Sequence, residues 1–102
     1  PVLFLLEDAG LAYTRGGRDA VTDSSVFAWP RLQDGDIVLS QTVALLAYLG
    51  EKGDRQPPAA LKHHALKLCL DLADVWSESY AERRKMKTVE EAVAYLGDGG
   101  RL

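Results

Sequence analysis

At 102 residues, with 47% hydrophobic and 26% charged side chains, the chain has the make-up of one small folded domain or two lobes, not of a disordered tail. A formal net charge of -3 supplies no general attraction for a phosphate backbone, which argues against nucleic acid as the main partner. No apolar run approaches the roughly 20 residues that span a bilayer, no secretory leader is visible, and the single cysteine, Cys69, has no partner for an internal disulfide. No membrane and a reducing, cytoplasmic compartment are therefore expected.

Residues 1–9, PVLFLLEDA, form a short buried helix in this reading. Pro1 is tolerated in the first turn, where its missing N–H would have no acceptor, and Gly10 supplies a permissive position after the last turn. Leu11-Ala12-Tyr13 is a candidate edge strand, and the polar run at 14–25 is loop. Val26 to Trp29 approaches a strand that Pro30 breaks. The Asp34-Gly35 pair between short apolar runs signals a hairpin, with strands over 30–33 and 36–39. Ser40 then suits an N-cap, and residues 42–49 form a helix ended by Gly50.

Charge, glycine and the Pro57-Pro58 pair mark residues 51–58 as a linker. Beyond it, Leu61, Ala65, Leu68, Leu72, Trp76 and Tyr80 recur at helical spacing over 59–84, with Leu66, Cys69 and Ala73 widening the apolar stripe. Lys67 and Asp71 stand four apart on its polar flank, and the basic residues from Arg83 to Lys87 suit its C-terminal end. Thr88 and Glu91 have the spacing of a capping box that opens a last helix to about Leu96, stopped by Gly97-Asp98-Gly99-Gly100.

Three stretches resemble the glutathione transferase superfamily. PVLFLLEDAGLAY is similar to the first helix of its thioredoxin-like domain. WPRLQDGDIVLSQTVALLAYLGEKG, residues 29–53, resembles the family's cis-proline, hairpin and following helix. The helix after Pro58 resembles the first helix of the C-terminal domain. The resemblance implies an α/β chain: residues 1–50 as a thioredoxin-like glutathione-binding domain lacking its first strand, 51–58 as a linker, and 59–102 as part of an all-helical domain. The family's opening strand and loop, which carry the tyrosine, serine or cysteine that engages the glutathione sulfur, have no counterpart here. No catalytic residue is therefore assigned. Without that strand, the segment near Tyr13 and the strand after Pro30 are expected to face each other across a gap.

The same resemblance implies a binding site. Pro30 is the expected cis-proline, Trp29 offers backbone groups to the cysteinyl part of the tripeptide, and Gln41 and Thr42 hold the γ-glutamyl carboxylate. An anion suits that position because amides at a helix start point outward with partial positive charge. In the plainer alternatives Trp29 is a core anchor, and Gln41 and Thr42 are the polar first turn of a helix capped by Ser40. Asp71 and Asp74 are candidates for reaching a glutathione amino group across a dimer interface; alternatively they lie on a solvated face, with Asp71 paired to Lys67.

The remaining chemistry-bearing residues point to less. His63 and His64 are adjacent and lack a third ligand, so no metal is expected. Cys69 lies in the apolar stripe and reads as a small buried hydrophobe. Tyr13, Tyr48, Tyr80 and Tyr95 match no catalytic position. The resemblance implies glutathione as cosubstrate, a small electrophile as second substrate, and a homodimer, with conjugation performed by the complete polypeptide and negligible activity in the 102-residue chain. The competing readings are a noncatalytic interaction module, using Trp76 and Tyr80 as interface, and an inactive truncated product.

Overall fold

The computed structural model describes residues 1–97 apart from Arg18, Ser24 and Phe27. Its architecture is mixed α/β. Helix α1 (Val2–Asp8) is followed by strands β1 (Arg31–Asp34) and β2 (Ile37–Ser40) and helix α2 (Thr42–Lys52). A 3-10 turn (Ala59–Leu61) then leads to α3 (Lys62–Lys85) and α4 (Val89–Leu96). The chain divides into two compact units, Pro1–Leu66 and Lys67–Leu102.

In the first unit α1 ends as expected from Gly10. This glycine takes φ +64, Gly10 N–H donates to the Glu7 carbonyl at 3.1 Å, and Leu11 N–H donates to the Leu6 carbonyl at 3.0 Å. These two bonds satisfy carbonyls that the last turn would otherwise leave open, as a Schellman motif does. The core is small. Leu6 from α1, Val26 from the loop, and Leu45 and Leu49 from α2 are its buried hydrophobic side chains among the described residues. Four residues apart, Leu45 and Leu49 share one face of α2. Arg55 ties the two helices beyond this core. Its Nε donates to Asp8 Oδ2 at 2.8 Å and its Nη2 donates to the Asp8 carbonyl at 3.1 Å.

The hairpin forms, but one residue later than expected. Its strands pair antiparallel with Arg31 opposite Ser40, Leu32 opposite Leu39, Gln33 opposite Val38 and Asp34 opposite Ile37. The two central turn residues are thus Gly35 and Asp36, not Asp34 and Gly35. Gly35 alone takes a positive φ, +60, as a tight turn with glycine in its first central position requires. Asp34 is kept in the strand because its carboxylate is held from α2: Tyr48 OH donates to Asp34 Oδ2 at 2.7 Å, and Lys52 Nζ donates to the same oxygen.

Three further expectations are corrected here. Ser40 is the last residue of β2, paired with Arg31, and Gln41 occupies the N-cap of α2 without any side-chain capping bond. Gly50 does not end α2. The helix continues to Lys52 and is capped by Gly53, while Gly50 is buried inside it. The Arg55 backbone folds back there, donating to the Gly50 carbonyl at 2.7 Å. Leu11-Ala12-Tyr13 is no strand. The one sheet among the described residues is the β1-β2 pair, so this segment has no neighbour with which to form a ladder.

In α3 and α4 the helical spacing is borne out, but the burial is not. Neither helix contains a buried residue, and Leu72 and Trp76 are 60% and 73% exposed. Cys69 is half-buried instead of enclosed. Local signals operate as expected. Lys67 pairs with Asp71, and Lys85 with Glu82 at 2.6 Å. The guanidinium groups of Arg83 and Arg84 lie 5.5 and 5.4 Å from the Tyr80 ring centre. Thr88 accepts from the Glu91 N–H at 3.2 Å while Glu91 accepts from the Thr88 N–H at 3.1 Å, completing the capping box. Gly97 caps α4; the expected stop at Asp98, Gly99 and Gly100 lies outside the described residues. No helix among the described residues is long and apolar enough to cross a membrane.

Candidate functional site

The hairpin brings four of the six candidate residues to one end of the first unit. Because Arg31 pairs with Ser40 at the open end of the ladder, Pro30 precedes that pair on one strand and Gln41 follows it on the other. The Trp29-Pro30 bend and the start of α2 are therefore neighbours by register. The Trp29-Pro30 peptide bond is cis. Trp29 is half exposed, which sets aside the alternative of a core anchor.

Gln41 carries the unusual backbone of this region. Its φ of 75 and ψ of 117 lie where side chains rarely go, and such conformations cost on the order of 1–3 kcal/mol. Among the described residues, no side chain caps the N–H groups that α2 presents at this point. Those groups are orphan donors whose partial positive charge favours an anion. Gln41 is exposed and Thr42 half-buried, so an amide, a hydroxyl and free N–H groups meet at the helix mouth. This arrangement suits a small carboxylate.

Asp71 and Asp74 belong to the second unit. Both are exposed on α3, and Asp71 is already paired with Lys67 within its own helix. Among the described residues no group of three or more His, Cys, Asp or Glu side chains is arranged to hold a metal.

Two features escaped the sequence reading. The first is Arg31. Its guanidinium stacks on Trp29 at 4.9 Å from the ring centre and donates through Nη1 to the Val21 carbonyl at 2.9 Å, while its buried Nε has no hydrogen-bond partner among the described residues. No local pattern announces an arginine with this role. The second is the Asp34, Tyr48 and Lys52 cluster that locks the hairpin to α2. Tyr48 and Lys52 stand four apart and so share a helix face, a visible signal, but their acceptor lies 14 and 18 residues away.

This cluster is electrostatically coupled. The bond from Lys52, followed by that from Tyr48, holds the Asp34 carboxyl below the usual carboxylate range. The bond to Asp34 in turn raises both the Lys52 ammonium and the Tyr48 phenol. A depressed carboxylate contributes stability that is complete above its unfolded pKa and is lost as pH falls through the folded one. Raised lysine and tyrosine groups contribute below their ordinary values and lose that contribution as pH rises through the folded ones. Acidification from neutral pH through the carboxylate range should therefore remove a stabilising component from the native chain but not from Asp34→Asn. Thermal unfolding across that range checks it, and parallel pH profiles for the two proteins would refute the coupling.

A cavity of about 620 Å³ in the first unit does not lie at the α2 mouth. Leu6 and Leu49 line it from the helices, Tyr13 from the segment after α1, and Arg31 and Gln33 from β1. Trp29 is the one candidate site residue that borders it. Compared with protein-family models, with curated proteins and with solved structures, the chain matches none.

Proposed function

We propose that the first unit is a glutathione-holding half-site of the glutathione transferase kind, built on a thioredoxin-like frame that lacks a central strand. In the complete polypeptide it presents the tripeptide thiol to a small electrophile. The observation that carries this reading is the uncapped start of α2, held open by the rare backbone of Gln41, beside the Trp29-Pro30 bend. The γ-glutamyl carboxylate accepts from the free N–H groups and from Thr42. The cysteinyl backbone lies along Trp29, as an added strand lies along a sheet edge. Asp71 or Asp74 from a second copy neutralises the ligand's amino group in a homodimer. No residue of this chain is assigned to stabilise the thiolate, so the chain itself should bind glutathione and conjugate nothing measurable.

Glutathione titration of the labelled chain, followed by heteronuclear NMR, tests the reading. Shifts should centre on Trp29, Gln41, Thr42 and Val43. Thr42→Val keeps the side-chain shape but deletes the hydroxyl, and should weaken binding about tenfold, as expected for one hydrogen bond to a charged group. An unperturbed Gln41-Thr42 region at saturating glutathione would remove the proposal. A second reading, a noncatalytic assembly module, is favoured by the exposure of Trp76 at 73%. It predicts association through α3 with no glutathione response.

A further inference from the structure

We propose that Asp34, Tyr48 and Lys52 are positioning residues of the α2 mouth: by tying the turn of the hairpin to α2, they hold the chain reversal at Gln41 that keeps the mouth open. The use of that mouth by a carboxylate rests on the function proposed above; the hold on Gln41 does not. β2 ends at Ser40 and α2 begins at Thr42, so one residue carries the change from strand to helix. Asp34 lies opposite Ile37, next to the turn, and accepts from Tyr48 OH at 2.7 Å and from Lys52 Nζ. α2 therefore runs back beside the hairpin, from the mouth toward the turn. The leg from Gln41 to Tyr48 is about 10 Å at the rise of an α-helix. The leg from Gln41 back to Ile37 is about 13 Å at the rise of a strand. Two legs of similar length, joined at Gln41 and tied at Asp34, make a closed loop.

Such a loop constrains its one single-residue corner. Gln41 stands there at φ 75 and ψ 117, in neither helical nor extended geometry, although its carbonyl already accepts from the Leu45 N–H at 3.0 Å. A residue with a side chain stays in that region only where the surrounding structure enforces it. The relaxed alternative is written in the chain. With Gln41 in helical geometry, α2 would start one residue earlier and Ser40 would take the N-cap, its hydroxyl accepting from the N–H groups of the first turn. These are the donors offered to a carboxylate, so the relaxed state closes the mouth. The ladder fastens Ser40 weakly against this change. Counted from the two-residue turn, Asp34–Ile37 and Leu32–Leu39 exchange backbone bonds, and Arg31–Ser40 is the pair that does not. What resists the change at the far end of both legs is the Asp34 tie. The Gln41 backbone is thus the two-state element that the tie and an anion bias in the same direction.

The test compares Lys52→Met, which removes the ammonium but keeps the aliphatic stem, with Lys52→Arg, which keeps the charge, and with Lys52→Met/Tyr48→Phe. In the ligand-free labelled chains, two quantities are recorded by NMR. One is the intraresidue HN–Hα NOE of Gln41, strong when a positive φ brings those hydrogens together; the other is exchange at the Thr42 and Val43 amides. The NOE should weaken and exchange should slow in Lys52→Met, more so in the double variant, with native behaviour in Lys52→Arg. Glutathione affinity should fall about threefold in Lys52→Met and about tenfold in the double variant. Thr42→Val, expected to cost about tenfold in the native chain, should cost no more than about threefold in the double variant. Substitutions this far apart ordinarily act additively, so that coupling is a signature of positioning that a general loss of stability does not produce. Native Gln41, Thr42 and Val43 signals in the double variant would overturn the inference, as would strictly additive effects on glutathione affinity. Collapse of the Leu45 and Leu49 methyl shifts in Lys52→Met would assign the cluster to the core and overturn it too. If glutathione perturbs nothing in the native chain, the proposed function fails while the ligand-free Gln41 measurements still decide this inference.

Discussion

Leu45→Ala should remove most of the stability of the first unit. Leu45 is 1% exposed, and only Leu6, Val26 and Leu49 join it as buried hydrophobic side chains among the described residues. Truncating a buried leucine typically costs about 2–5 kcal/mol, from lost transfer energy together with the cavity left behind. A unit of this size buries a modest share of its surface and has little stability in reserve. Urea denaturation followed by far-ultraviolet circular dichroism should show the loss directly. Leu72→Ala on α3 is the matched control: at 60% exposure it should stay within about 0.5 kcal/mol of the native chain. Equal effects from the two substitutions would mean that α2 does not centre the core.

Gln41→Gly should change stability and binding in opposite directions. The native backbone at φ 75 and ψ 117 carries a cost of about 1–3 kcal/mol for a residue with a side chain. Glycine relieves that cost but adds about 0.5–1 kcal/mol of chain entropy to the unfolded state. The net expectation is a gain of roughly 1 kcal/mol in unfolding free energy, measured by denaturant titration. Glutathione affinity should nevertheless fall, because the side-chain amide is deleted and the geometry of the helix mouth is no longer enforced. A site residue that costs stability and confers binding is the pattern expected where strain serves function. A destabilised Gln41→Gly chain would show instead that the side chain supports the fold.

These two substitutions separate the parts of the molecule that local chemistry announces from those it does not. The Schellman end of α1 at Gly10 and the capping box of Thr88 and Glu91 were legible because each is a bond pattern closed within a few residues. The existence of a hairpin and of the long α3 was legible for the same reason: turn chemistry and helical spacing are short-range. Within the candidate site, the sequence pattern led to Trp29, Pro30, Gln41 and Thr42 through a family resemblance, and pairing of the hairpin strands places these four at one end of the unit.

The hairpin register could not be read locally, because the residue that selects between two neighbouring turns is Asp34, and its partners Tyr48 and Lys52 come from α2. A one-residue slip exchanges the faces of a strand, so this distant cluster decides which side chains of β1 face the cavity. Gly50 looked like a helix stop and is instead a small residue at the place where Arg55 folds back onto α2. Ser40 had the chemistry of a cap, but pairing with Arg31 retained it in β2 and passed the N-cap to Gln41.

The burial of α3 was overestimated because spacing shows which residues share a face and says nothing about whether another surface covers it. By itself, then, the amino-acid order determined where helices and a turn begin and end to within a few residues, since capping and periodicity act over one or two turns. Tertiary structure alone decided the register of the hairpin and the uncapped mouth of α2. Each of those depends on groups brought together from distant parts of the chain, whose mutual geometry no local pattern contains.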